Sequence, residues 1–145
     1  MKIEYRKINN ELLEKIAVEL DSGWITKFSG FDNDTFGLAA MNGDAPVGYI
    51  IVTSRTLIYP LEHITDAYID IIEIMDEYQR HGIGQTLVTR SEEWAREKRF
   101  KQIRTHSNLK AANAIKMWHK LNYGLCPHDY YEEEGCTGYW VSKTL

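Results

Sequence analysis

Residues 77–87 read EYQRHGIGQTL. Gly82 and Gly84 bracket one apolar residue, Ile83, and Arg80 and His81 stand just before them. The run YIDIIEIM (68–75) precedes the stretch, and a helical pattern, GIGQTLVTRSEEWAREKR (82–99), follows it with Leu87, Val88, Trp94 and Ala95 on one face. A strand therefore enters a helix through two glycines and a cation. The first turn of a helix exposes unpaired N–H groups and a partial positive charge. Glycines there let the backbone approach an anion closely, so the stretch is suited to cradling phosphate, with Arg80 adding charge. On spacing alone it reads equally well as a plain glycine-rich turn. A P-loop is excluded, because G-x-x-x-x-G-K-[ST] is missing. A dinucleotide fingerprint is excluded too: position 87, where its third glycine belongs, is Leu, and KQIRTHS (101–107) supplies no acidic residue for the ribose.

Outward from this junction, the remaining segments alternate in period. KIEYRKI (2–8) alternates as a strand does. NNELLEKIAVELDSGW (9–24) opens on Asn and carries Leu12, Leu13, Ile16, Ala17 and Leu20 at helical spacing, which predicts a capped amphipathic helix. ITKFSGFDNDTFG (25–37) is an aromatic-rich loop or short helix. FGLAAM (36–41) and PVGYIIVTSRTLIY (46–59) flank NGDA, a hairpin signal. KQIRTHS reads as a strand, LKAANAIKMWHKLN (109–122) as a helix, and YGLCPHDYY (123–131) and GCTGYWVSKTL (135–145) as two final strands. Strand–helix–strand–helix order in the second half predicts local parallel pairing, and the hairpin predicts antiparallel pairing. The fold class is α/β (α+β), a mixed sheet with helices on both faces.

Composition narrows the class. At 145 residues the chain fits a single domain spanning 1–145. Its hydrophobic share of 43% and charged share of 26% suit a folded protein with a real core. A net charge of -4 gives a nucleic-acid partner no electrostatic support. No apolar run approaches the ~20 residues that span a bilayer, so no membrane partner is expected. MKIEYRK at the N-terminus has no apolar core of a signal peptide, which favours the cytoplasm. There Cys126 and Cys136 are expected as free thiols. With His128 they match no zinc spacing, so no metal is expected.

IEIMDEYQRHGIGQTLV (72–88) resembles the acetyl-coenzyme A signature of the GCN5-related N-acetyltransferases, whose core is Gln/Arg-x-x-Gly-x-Gly/Ala after a strand; Gln79, Gly82 and Gly84 occupy those positions. SNLKAANAIKMWHKLNYG (107–124) resembles the family's second signature, and the likeness is close over residues 67–124. The resemblance implies a mostly antiparallel central sheet and an acetyl-CoA-dependent N-acetyltransferase acting on a primary amine of a small molecule or peptide. A homodimer is compatible with it. It assigns coenzyme contacts to the backbone of Ile72 and Ile74, to Gln79, Arg80, His81, Gly82, Ile83, Gly84 and Gln85 in the loop, and to Asn108, Asn113 and Trp118 beyond it. It places Asp70 where a base often stands, with Glu73 as the second carboxylate. These two are an odd number apart, so a regular strand points them to opposite faces; the family's bulge in this strand brings both toward the cleft. The alternative for either carboxylate is solvation or an ion pair. The main departure is Trp118, where the family usually has a Tyr that protonates the departing thiolate. An indole N–H donates a hydrogen bond but gives up no proton, so Tyr123, Tyr130 or water must substitute, or Trp118 simply packs in the core. For Asn108 the alternative is capping the following helix. The departure at Trp118 also makes a non-catalytic acyl-CoA-binding module the competing reading.

The family builds its acceptor pocket from the segment after the first helix, the loop before the signature strand and the last strands. Trp24, Phe28, Phe31 and Tyr59 are candidates for an aromatic wall, and Asp32, Asp34 and Glu132–Glu134 for attracting a cation. Buried aromatics and an ordinary acidic turn explain the same residues. His63 and His106 carry no usable signal.

Overall fold

The computed structural model describes residues 1–108, 112–129 and 137–145, with the side chains of Asn108 and Asp129 outside that description. Seven strands form one sheet: β1 (Glu4–Lys7), β2 (Thr35–Asn42), β3 (Ala45–Thr56), β4 (Thr65–Ile74), β5 (Gln102–Asn108), β6 (Gly124–Asp129) and β7 (Thr137–Thr144), in the spatial order β1-β2-β3-β4-β5-β7-β6. Every pairing is antiparallel except β4 with β5. That exception follows from α2 (Ile83–Glu97), which carries the chain back across the sheet between those two strands.

Helix α1 (Asn10–Glu19) starts where the sequence predicts. The Asn9 side chain accepts a hydrogen bond from the Leu12 N–H at 2.8 Å, and Leu13, Ile16 and Ala17 are buried. They pack with Ala39, Met41, Tyr49 and Ile51 on one face of the sheet. On the other face, Ile83, Leu87, Val88 and Ala95 of α2 and Trp118 of α3 (Ala112–Lys120) pack against Leu38, Ile50, Val52, Ala67 and Ile69. Burying a side chain of this size contributes about 1.5–3 kcal/mol, so each face is sealed by its own apolar stripe. Among the described residues, no helix is long and apolar enough to cross a membrane.

One departure from the expected elements has a clear cause. The strand predicted through Tyr59 ends at Thr56. Leu57 and Ile64 close a loop through a backbone hydrogen bond of 2.9 Å, and Pro60, which has no N–H for a ladder, stands inside it. The aromatic segment after α1 takes the short-helix form of the two expected, a 3₁₀ helix, Gly23–Phe28, whose Ile25 is fully buried.

The decisive irregularity lies in β4. Ile51 pairs with Ile71 and Val52 with Ile69, leaving Asp70 as an extra residue. This bulge resets the alternation of side chains. Ile69, Ile72 and Ile74 thus face α2, whereas Ile71 faces α1.

Candidate active site

β4 and β5 pair only at Ala67–Ile103 and Tyr68–Arg104. Beyond that point β4 runs on to Ile74 with no partner strand on this side, so the two strands splay apart. This is the one parallel pair among the described strands. At its end the chain turns through a short 3₁₀ segment, Asp76–Tyr78, into α2. The Gln79 amide braces the turn by donating to the Ile74 carbonyl and to Asp76 Oδ1, both at 3.0 Å.

Arg80 and Gly82 both adopt positive φ, 61° and 79°. That conformation suits glycine far better than any branched residue. A Cβ on Gly82 would meet nothing within 4 Å, so this position is open to a ligand. Gly84 is different. A Cβ there would lie 2.9 Å from Met117 Sδ and 3.0 Å from Ile74 Cδ1, so its role is to let α2 approach α3 and β4. No side chain caps the start of α2, and its first internal bond is Thr86 N–H to the Gly82 carbonyl. The N–H groups of Ile83, Gly84 and Gln85 therefore remain available to an anion.

This helix start opens into a cleft of about 540 Å³. Of the residues expected to contact a coenzyme, Ile72, Ile74, Gln79, Arg80, Gly82, Gly84, Gln85 and Asn113 line it. Four others are placed differently. His81 faces a neighbouring groove between α2 and the β1–β2 edge, and its Nδ1 lies 2.9 Å from the Gln79 carbonyl. The Ile83 side chain, 2% exposed, belongs to the core, which leaves only its backbone to the cleft. Asn108 lies at the end of β5, its side chain outside the described residues. Trp118 takes the core-packing alternative. It is 1% exposed, packs against Tyr123 with the rings tilted by 57° and their centroids 4.9 Å apart, and donates its indole N–H to Ser107 Oγ at 3.2 Å. Its bulk fills the space between α3 and the sheet and does not reach the cleft wall.

On the opposite face of β4 the bulge puts both carboxylates on one side of the strand despite their odd spacing. Asp70 is held from β3: Thr53 Oγ1 donates to it at 2.5 Å and Arg55 forms an ion pair with it. The Asp70 side chain is 3% exposed. The ion-pair alternative thus describes Asp70. Glu73 Oε2 accepts hydrogen bonds from Ser22 Oγ at 2.8 Å and from the Tyr49 hydroxyl at 3.0 Å. Glu73 Oε1 has no partner among the described residues. Burial, reinforced by the Glu73 charge, pushes the Tyr49 phenol well above its ordinary range, so it stays a donor.

Several residues of this face were missed. Tyr68 lies between the guanidinium groups of Arg55 and Arg104, 4.0 and 4.9 Å from its ring. Burial raises its pKa, and the two guanidinium charges pull it partly back. Arg104 is fixed by buried Asp66 at 2.5 Å. His106 Nε2 lies 2.8 Å from His128 Nε2, and both rings pack on Trp140. These groups come from five strands, β3 to β7, so no local motif reveals them. The aromatic acceptor wall is not assembled as expected. Lys27 sits over Trp24 and Phe28, at 5.0 and 5.2 Å, Phe31 packs toward the core, and Tyr59 is exposed on the β3–β4 loop. Asp32 caps its own turn by accepting from Asp34 N–H and Thr35 Oγ1. Tyr130, Glu132–Glu134 and Cys136 lie outside the described residues. Tyr123 is no substitute acid: it is 5% exposed and its hydroxyl donates to Glu92, facing away from the cleft.

A splayed parallel pair, a glycine-opened helix start and a cleft between α2 and α3 are the marks of a coenzyme A-dependent acetyltransferase fold. The sequence model of the acetyltransferase (GNAT) family matches residues 5–123, and the chain belongs to that family. Among solved structures, it is similar to NAA60 of Arabidopsis thaliana in complex with acetyl-CoA: 17% identity, 99% of both chains covered and a TM-score of 0.77. A GNAT-family acetyltransferase from Streptococcus pneumoniae aligns at 17% identity over 99% of this chain and 100% of its own, with a TM-score of 0.73. The NatC complex bound to Gag peptide and CoA aligns at 15% identity, covering 100% and 99% of the two chains, also at 0.73. No curated protein matches the chain by sequence.

Proposed function

We propose that this protein is an acetyl-CoA-dependent N-acetyltransferase that acylates a primary amine. The observation that carries the reading is the uncapped start of α2, with Gly82 open to a ligand, facing the splay of β4 and β5. The family match and the acetyl-CoA and CoA complexes of similar structures support the same cosubstrate. The residues fit that molecule: three free N–H groups and Arg80 suit a pyrophosphate, and the unpaired edge of β4 at Ile72 and Ile74 suits a pantetheine amide. The thioester supplies an activated acetyl group there.

The chain supplies the rest. Glu73, with one oxygen tied by Ser22 and Tyr49 and the other without a partner among the described residues, takes a proton from the substrate ammonium, directly or through a water, and leaves the neutral amine to attack the thioester carbonyl. Asp70 is a positioning residue that orders Arg55 beside Tyr68. The Tyr68 hydroxyl, kept protonated by burial, donates toward developing negative charge. The departing thiol resembles cysteine, near pKa ~8.5, so it leaves without a dedicated acid from Trp118.

The burial of Trp118 favours a second reading, a non-catalytic acyl-CoA-binding module of the same fold. Thiol release from acetyl-CoA, measured across a library of small amines and peptide N-termini, separates the two. Amine-dependent release supports the enzyme, and binding without release supports the module.

A further inference from the structure

The cleft wall opposite the glycine loop carries Lys116 and Lys120 of α3, and both line the same 540 Å³ space as Arg80. They are four residues apart, so they project from successive turns of one helix face. Like charges at this spacing destabilise a helix by a few tenths of a kcal/mol. Neither lysine has an acidic partner among the described residues, nor does Arg80. In a chain of net charge -4, three cations around one cleft with no acidic partner among the described residues suit a strongly anionic ligand. Lys120, in the last turn, also complements the helix dipole, but Lys116, in mid-helix, has no such reason to be there.

The proposed pyrophosphate occupies the start of α2 and Arg80. Coenzyme A carries one further phosphate, the monoester on its ribose 3′-oxygen, which is close to doubly charged at neutral pH. We propose that Lys116 and Lys120 bind this 3′-phosphate together, and so make the site selective for the 3′-phosphorylated coenzyme over its dephosphorylated form. Two mobile ammonium groups on adjacent turns suit a tetrahedral dianion, which needs several donors and no planar fork. The inference rests on the acetyl-CoA reading and adds the feature of the coenzyme that the cleft selects.

The test is calorimetric titration of coenzyme A and of dephospho-coenzyme A into the wild-type chain, a Lys116→Ala/Lys120→Ala variant and a Lys98→Ala/Lys101→Ala control. The wild type and control should prefer coenzyme A by about tenfold, as two exposed charge-assisted contacts supply. The Lys116→Ala/Lys120→Ala variant should lose that preference while keeping its affinity for dephospho-coenzyme A. Equal wild-type affinity for the two ligands, or equal losses for both in the variant, overturns the assignment and leaves the acetyl-CoA reading standing. Failure of both ligands to bind any of the proteins overturns that reading and the assignment with it.

Discussion

Gly82 and Gly84 do different work two residues apart. Gly82 holds a left-handed conformation in open space, and Gly84 allows close packing against Met117 and Ile74. A Val at position 82 puts a branched side chain in a conformation that costs about 1–2 kcal/mol, relieved only by moving the loop. Arg80→Ala removes one exposed charge, worth about 1 kcal/mol or less. Gly82→Val should therefore weaken coenzyme A binding more than Arg80→Ala in calorimetric titration, and a folded Gly82→Val protein of unchanged affinity would remove the loop from the site. The carboxylates separate in the same way. Asp70→Asn loses the Arg55 pair, so its main effect should be a lower melting temperature, equivalent to about 1–3 kcal/mol. Glu73→Gln should lower kcat/KM at least about tenfold, near 1.4 kcal/mol of transition-state stabilisation, with stability nearly unchanged. Wild-type kinetics in the Glu73 variant would instead direct attention to the His106–His128 pair on the same face.

Each element combines residues whose role is local with residues whose role is set by a distant partner. The start of α2 was legible because the determinants of an anion site are adjacent in sequence: two glycines, a cation and a preceding strand. Pairing in the sheet was legible from the NGDA hairpin and from the helix between β4 and β5. The position of the β4 bulge was not, because a one-residue slip leaves no mark on an apolar run such as YIDIIEIM. Arg55, Tyr68 and His106 gain meaning only from partners on other strands. Trp118 shows the limit most clearly. Helical spacing puts it on the inner face of α3, and that face borders both core and cleft. Its burial beside Tyr123 and its bond to Ser107 decide for the core. Trp118→Tyr should therefore leave kcat unchanged and lower the melting temperature, whereas Trp118→Ala should cost about 3–5 kcal/mol in chemical denaturation. A raised kcat at constant KM in the Tyr variant would mean that this side chain reaches the leaving group after all.

At the scale of the whole molecule, one sheet separates the two surfaces to which the proposed function assigns roles. The cleft between α2 and α3 opens on one side of β4, and the face with Glu73, Tyr68 and His106 lies on the other; the splay beside β5 connects them. Burial raises the pKa of Tyr49, Tyr68 and Tyr123 above the usual value. Each holds its proton more tightly folded than unfolded, so the unfolded chain binds fewer protons once pH passes about 10. Stability must then fall as pH rises beyond that value. Thermal unfolding followed from pH 8 to 11 should show a steepening loss above about 10, reduced in Tyr123→Phe; an equally steep loss in that variant would contradict the linkage. The central claim is transfer of an acetyl group from the cleft through the splay to an amine. It is tested most directly by mixing the protein with acetyl-CoA and a primary-amine library and measuring free thiol and acetylated amine together. The account predicts thiol release that depends on a particular amine, with acetylated amine formed in equal amount and both lost in Glu73→Gln. Tight acetyl-CoA binding with no amine-dependent release from any member of the library would contradict it.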